Sequence, residues 1–359
     1  MAAVTTEANI GTMPVPDKHR VDVNVLEAYL REHIPDLTGP LVVEQFRGGQ
    51  SNPTFRVTAG RRRFALRRKP PGKLLPSAHA VEREYRVMTA LSGSDVPVPR
   101  TWCLCEDPSV IGTAFYVMDC VDGRIFWDPA LPGMSRDERA EIFAEMNRVI
   151  AALHRVDYRE VGLEDYGRAG GYLARQIARW TKQYRASETE KIEAMERLIA
   201  WLPENMPIDD ETAIVHGDYR LDNLIFHASE PRIVAVLDWE LSTLGHPLAD
   251  FAYHCMSWRI PGGTFRGMRG LDLAALGIPA ESNYVAAYCR RVERGPIDPD
   301  QWDFYFAYNM FRAAGIAQGI MRRALDGIAT STHALEAGRS ARDMAECGWQ
   351  QVEKVLCRR

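Results

Sequence analysis

The sequence has no apolar run near the roughly 20 residues needed to cross a bilayer, so no membrane partner is expected. It has no excess of one charge either: 44 Lys and Arg are interspersed with 48 Asp and Glu, for a formal net charge of −4. That balance gives no argument for a nucleic-acid or anionic-membrane partner. The amino-terminal stretch carries Glu7 and Asp17 and no apolar h-region, which predicts no secretory signal. The seven cysteines are odd in number and include no C-x-x-C pair. They read as reduced thiols rather than a disulfide framework, with the cytoplasm as the expected compartment. What is present is a 359-residue chain, 46% hydrophobic, long enough for two domains or one two-lobed domain around a large core.

The stretch from Val215 to Glu240 organises the rest. Ala213 to Val215 is a short apolar lead-in, His216-Gly217-Asp218 is a break, and Asn223 follows five residues after Asp218. Leu224 to Phe226 and Ile233 to Leu237 are strand-like runs separated by a turn at Ala228 to Pro231, and Asp238 ends the second run. A strand-turn-strand of this size would bring Asp218, Asn223 and Asp238 to one end of a hairpin. Two carboxylates and a carboxamide oxygen are hard donors of the kind Mg²⁺ prefers, and they could share the ion with a nucleotide's phosphates.

The same order of residues is found in protein kinases, where an Asp accepts the hydroxyl proton, an Asn five residues on holds metal and a later Asp holds more. With His216-Gly217-Asp218 in place of His-Arg-Asp and Asp238-Trp239-Glu240 following, the pattern resembles the aminoglycoside phosphotransferase and choline kinase-like family. It is most similar to the phosphotransferase domain that some acyl-CoA dehydrogenases carry, and the resemblance covers nearly the whole chain. It implies an α+β, bilobal, protein-kinase-like fold: an N-terminal antiparallel sheet with one helix, then a mainly helical C-terminal lobe, with ATP between them.

Taken in order, residues 1–20 read as an amino-terminal arm, 21–118 as a nucleotide-binding lobe and 119–359 as a catalytic and substrate lobe. Asp22 can cap a helix carrying Val25, Leu26, Tyr29 and Leu30. Two strand candidates flank Gly48-Gly49-Gln50-Ser51-Asn52. Paired glycines there either form a plain hairpin turn or let backbone amides approach phosphates. The resemblance implies the second, through Gly48, Gly49, Ser51 and Asn52. On the next strand Phe64 and Leu66 face one side, and Ala65 and Arg67 the other. Ala65 leaves room for adenine, and Arg67 stands where protein kinases have the phosphate-binding Lys. Arg68 points away.

Ser77 can cap a helix to about Leu91, on which Glu84 falls within the stripe of Val81, Tyr85, Met88 and Leu91. A carboxylate there needs a partner, and Arg67 is the expected one. Two further strands precede Met118, Asp119 and Cys120, to which the resemblance assigns the adenine-binding linker. Helices are expected over Glu138 to Arg155, Tyr172 to Tyr184, Glu190 to Trp201, Gln301 to Leu325 and His333 to Leu356. His154 reads as a structural residue near a helix end and His246 as a turn residue before Pro247. Arg259 to Gly277 is glycine-rich and suits a loop over a substrate.

The expected reaction is transfer of the γ-phosphoryl group from MgATP to a hydroxyl of a small molecule. Asp218 would act on the hydroxyl proton, Asn223 and Asp238 would hold Mg²⁺, and Arg67, set by Glu84, would hold phosphates. His216 and Asp250 would support the catalytic loop, and Arg312 would meet an anionic substrate group, with a buried salt bridge as the other reading of it. There is no D-F-G triplet and no A-P-E segment, which disfavours a protein substrate. A hydroxy acid or hydroxyacyl-CoA is the expected acceptor; an aminoglycoside or amino-alcohol is the alternative, and a nucleotide-binding pseudokinase the reading from another class. Oligomeric state is not legible.

Overall fold

The computed structural model describes residues 11–47, 52–71, 79–262, 266–327 and 334–359. Gly48, Gly49 and Ser51 of the expected phosphate loop, and Ser77, lie outside the described residues. The chain divides into two compact units, one made of Met1–Ile125 with Asp222–Ser242, the other of Phe126–Leu221 with Thr243–Arg359.

The first unit is a six-stranded antiparallel sheet. Its spatial order is Thr12–Met13, Leu41–Phe46, Thr54–Ala59, Arg62–Arg68, Phe115–Asp119 and Thr101–Cys105. Two-residue periodicity decides its two faces. Phe55, Val57, Phe64, Leu66, Phe115 and Val117 pack on one side against Leu26 and Leu30 of the helix Val23–His33. Asp22 starts that helix by accepting hydrogen bonds from the Asn24 and Val25 amides. Val25, expected on the buried stripe, is instead 42% exposed, because the helix presents a narrower face to the sheet.

The other face of the strand Arg62–Arg68 carries Arg67 toward Glu84 of the helix Val81–Leu91. That helix begins at Val81, with Ala80 at its cap position and no side-chain cap. Glu82 and Glu84 in its first turn suit the positive end of the helix dipole. Arg68 does point away, its guanidinium lying over the Phe55 ring and donating to the Ile111 carbonyl. The hairpin Leu224–Phe226/Ile233–Val236 also belongs to this unit, tied in where the Val236 amide donates to the Pro97 carbonyl.

The second unit is mainly helical. Its first long helix, Arg136–Arg155, opens with a capping box between Ser135 and Glu138. The helices Tyr172–Ser187, Glu193–Glu204, Pro299–Leu325 and Ala334–Arg358 follow the expected periodicities, with ends shifted by a few residues. A two-stranded antiparallel ribbon, Ala213–Val215 with Thr243–Gly245, frames the segment that leads to Asp218. Arg259 is anchored rather than loose. Its guanidinium meets Glu281, Asp303 at 2.9 Å and Gln351 at 2.9 Å.

Candidate active site

In the first unit, Arg67 is the hub of a buried polar cluster. Its Nε lies 3.0 Å from Glu84, and its Nη2 donates to Asp238 at 2.6 Å with Glu240 at 3.5 Å. Glu84, 1% exposed, also accepts from Asn52 Nδ2 at 2.9 Å and from the Tyr116 hydroxyl at 3.2 Å. Burial pushes the Glu84 carboxyl up to about 7, against the pull of Arg67 and with the help of Asp238 and Glu240. For Arg67 itself burial disfavours the charge, but Glu84 and the acidic neighbours outweigh it and the guanidinium stays charged. Asn52, placed by sequence in the phosphate loop, therefore also fixes Glu84.

Ala65 pairs across the sheet with Met118. Met118 and Asp119 end a strand, and the Asp119 and Cys120 amides donate to Arg100 O at 2.8 Å and Arg63 O at 3.4 Å. Sheet pairing thus already uses two amides of the expected linker.

Asn223 and Asp238 flank one end of the hairpin. Leu224 stands opposite Val236, and the Leu237 amide donates to the Asn223 carbonyl at 2.9 Å. Asp238 adopts a left-handed conformation, φ 64°, which costs a non-glycine residue on the order of 1 kcal/mol and turns its carboxylate out of the strand line. Among the described residues no three His, Cys, Asp or Glu cluster as a metal cage. A carboxylate with a carboxamide is still a donor set that fits Mg²⁺, which keeps several waters and takes further oxygens from phosphates.

In the second unit, Asp218 is held from several sides. Arg220 Nε donates to its Oδ2 at 2.9 Å, and the Tyr253 hydroxyl donates to its Oδ1. Its own amide donates to His216 Nδ1 at 3.2 Å. The loop behind it is fixed by Asp250, whose carboxylate accepts from the His216 and Gly217 amides, each at 2.8 Å, and lies 3.2 Å from His154 Nε2. Burial alone would raise the Asp250 carboxyl. The bonds and charges of His154 and His216 overcome it and hold the group below the ordinary carboxylate value.

Gly217 has φ +81°, a region that L side chains rarely adopt, so the His-Gly-Asp turn requires a glycine. Arg312 donates to the Gly217 carbonyl at 2.7 Å and lies over the Tyr253 and Trp180 rings. It braces the loop from a buried position. His246 accepts from the Leu248 amide at the start of the helix Pro247–His254 and bonds Tyr305, and burial lowers its pKa to about 4.

Beside Asp218's partners lies a cavity of 60 Å³ whose lining includes Trp127, Phe143, Met146, Arg220, Tyr253 and Met256. His254, also in its wall, bonds the Tyr284 hydroxyl at 2.7 Å and has its pKa lowered by burial to about 4, so it is neutral at pH 7.

The family model for the phosphotransferase enzyme family matches residues 42–305, a span that holds every one of these groups except Arg312. The chain belongs to the phosphotransferase enzyme family. It is 46% identical to mouse (Mus musculus) acyl-CoA dehydrogenase family member 10 over 96% of this chain and 32% of that protein. It spans between about a third and a half of the length of the curated relatives it matches first. A crystal structure from Ralstonia eutropha JMP134, provisionally described as an aminoglycoside phosphotransferase, is 57% identical, with a TM-score of 0.86 over 93% of this chain and 99% of that one. The aminoglycoside phosphotransferase APH(4)-Ia, solved with ADP and hygromycin B, shares the fold at 15% identity and a TM-score of 0.59, over 90% and 97% of the two chains.

The α+β, kinase-like architecture expected from sequence is thus the one found, in a phosphotransferase. Sequence reasoning missed Tyr253, Arg220 and Tyr116. Nothing in the local pattern of Tyr253 marks it, since it sits 35 positions from Asp218. Arg220, two residues after Asp218, lay within the motif and could have been found by asking what neutralises the carboxylate.

Proposed function

We propose that this phosphotransferase moves the γ-phosphoryl group of MgATP onto an alcohol of a small hydroxy acid or hydroxyacyl-CoA. The observation that carries the reading is Asp218: a carboxylate positioned by Tyr253 and Arg220 on a loop that Asp250 and Arg312 immobilise. An acceptor O–H would donate to Asp218. The oxygen–phosphorus bond forms as the bond to the ADP oxygen breaks, and the hydroxyl proton passes to Asp218 and then to solvent. Because this transfer is loose, positioning contributes most and the base needs no raised pKa.

Arg67 would hold phosphate oxygens, with Glu84 fixing its direction, and Ala65 and Met118 would border the adenine. Asn223 and Asp238 would hold Mg²⁺, which when bound offsets charge on the phosphates. The acyl class of acceptor is supported by the family relationship to acyl-CoA dehydrogenase family members. An aminoglycoside acceptor is the second reading, favoured by the description of the Ralstonia structure. The seven free cysteines support a reducing, cytoplasmic setting.

The test is ADP release with Mg²⁺ across hydroxy acids, hydroxyacyl-CoAs and amino-alcohols, for wild type and Asp218→Asn. Acyl-dependent turnover lost in the variant is expected. Turnover with kanamycin-like compounds alone would reverse the order of acceptors, and none with any acceptor would remove the kinase reading.

A further inference from the structure

The cavity beside Asp218 has walls of two chemical kinds. Phe143, Met146, Met256 and Ile260 are apolar and buried, and the neutral His254 adds no charge to that side. Opposite in character are Arg266 and the two residues that hold the Asp218 carboxylate, Tyr253 and Arg220. Asp218 is not itself in the lining, but both residues that hold it are, so the same small space is bordered by the partners of the base on one side and by hydrocarbon on the other.

We infer that this cavity receives the aliphatic tail beyond the hydroxyl-bearing carbon of the acceptor, and that Met146 and Met256 set the tail length this enzyme accepts. The inference rests on the proposed alcohol phosphotransfer and names a structural feature of its acceptor.

Its size gives the limit. A dry cavity of about 150 Å³ takes a six-carbon ring, so 60 Å³ takes a tail of about two to three carbons. Burial of each accommodated methylene is favourable, by roughly 0.8 kcal/mol. A carbon too many must displace packed side chains. Discrimination of this kind reaches roughly tenfold or more per methylene in a fitted apolar pocket. Tails longer than the limit need Met146 or Met256 to change rotamer, which methionine does more readily than a branched side chain.

The experiment uses the full chain with hydroxyacyl-CoAs of one fixed hydroxyl-to-thioester spacing, their tails lengthened carbon by carbon from methyl to hexyl. With MgATP, kcat/KM is expected to peak at a tail of two to three carbons and to fall roughly tenfold for the next carbon. Met146→Ala is expected to move the peak to longer tails, while the KM for ATP stays within about twofold. The main-chain carbonyl of Met146, which accepts from Tyr219, is untouched by that change.

Should Met146→Ala fail to fold, ¹³C-methyl methionine spectra of the wild type supply the second readout. The Met146 and Met256 methyl signals should shift with a propyl-tailed acyl-CoA and not with a tail-free one. Methyl shifts without ADP release would leave the tail cavity standing and remove the kinase reading. ADP release with a flat tail profile, or with methionine methyls that do not move, would overturn the cavity assignment alone.

Discussion

Replacing Asp250 by Asn tests how rigidly the loop that carries Asp218 must be held. The carboxylate accepts from Gly217 N on Oδ1 and from His216 N on Oδ2, with His154 Nε2 on the same Oδ2. An Asn amide keeps one acceptor oxygen. Whichever way it turns, its NH₂ faces one of the two main-chain N–H groups, which is left buried and unpaired. An orphaned donor costs about 1–3 kcal/mol, and the surviving bonds lose their charge assistance. A destabilisation of about 3 kcal/mol follows, or roughly 5–10 °C in Tm for a unit of this size.

The displaced loop carries Asp218, so kcat should fall about 10²-fold while the KM for ATP barely changes. The pH dependence has a fixed sign. The Asp250 carboxyl is held below its ordinary value in the folded protein, so its stabilisation is present above the unfolded value near 3.9 and is lost as pH falls through the folded one. The gap between wild type and Asp250→Asn should therefore close on acidification. Melting curves and steady-state kinetics at several pH values measure both effects. A variant with wild-type Tm and kcat would refute the account of the loop.

Other outcomes can be checked alongside it. Asp218→Asn should lower kcat by about 10³-fold with little change in nucleotide affinity, by titration of a fluorescent ATP analogue. Tyr253→Phe should lower kcat by about tenfold, leaving the KM for ATP unchanged; equal losses in stability and activity would make its role merely structural. Arg67→Lys should raise the KM for ATP by about tenfold, because one ammonium cannot span Glu84 and Asp238 as the fork does. Arg67→Ala should be about 3–5 kcal/mol less stable, since it leaves Glu84 buried without its cation.

Glu84, with its pKa raised to about 7, binds its proton more tightly folded than unfolded. Its contribution is present below the unfolded value near 4.3 and is lost as pH rises through about 7. Wild-type stability relative to Glu84→Gln should accordingly fall across that window, by up to about 1.4 kcal/mol per pH unit; urea unfolding at pH 5, 6 and 7 would measure it.

Much of this arrangement was legible in the chain itself. Strand alternation alone separates Arg67 from Arg68, because successive side chains must leave opposite faces. Helical spacing alone puts Glu84 on an apolar stripe, where a carboxylate demands a cation. The length of the Leu224–Val236 hairpin sets Asn223 and Asp238 at the same end, since antiparallel pairing equates positions across the turn. These are short-range consequences of backbone periodicity, and they hold before any tertiary contact forms.

Other features came only with packing. Tyr253 reaches Asp218 because the helix Pro247–His254 is anchored to the His216–Asp218 loop through Asp250, and no local pattern encodes that 35-residue contact. Arg312, whose sequence suggests a substrate cation or a salt bridge, donates to the Gly217 carbonyl. A guanidinium on an apolar helix goes to whichever acceptor the fold brings near. The cavity has the same origin: Phe143 and Met256 stand 113 positions apart, and the 60 Å³ between them is what their packing leaves unfilled. Periodicity in the chain determines which face a side chain leaves from, and only the closed fold decides what it meets there.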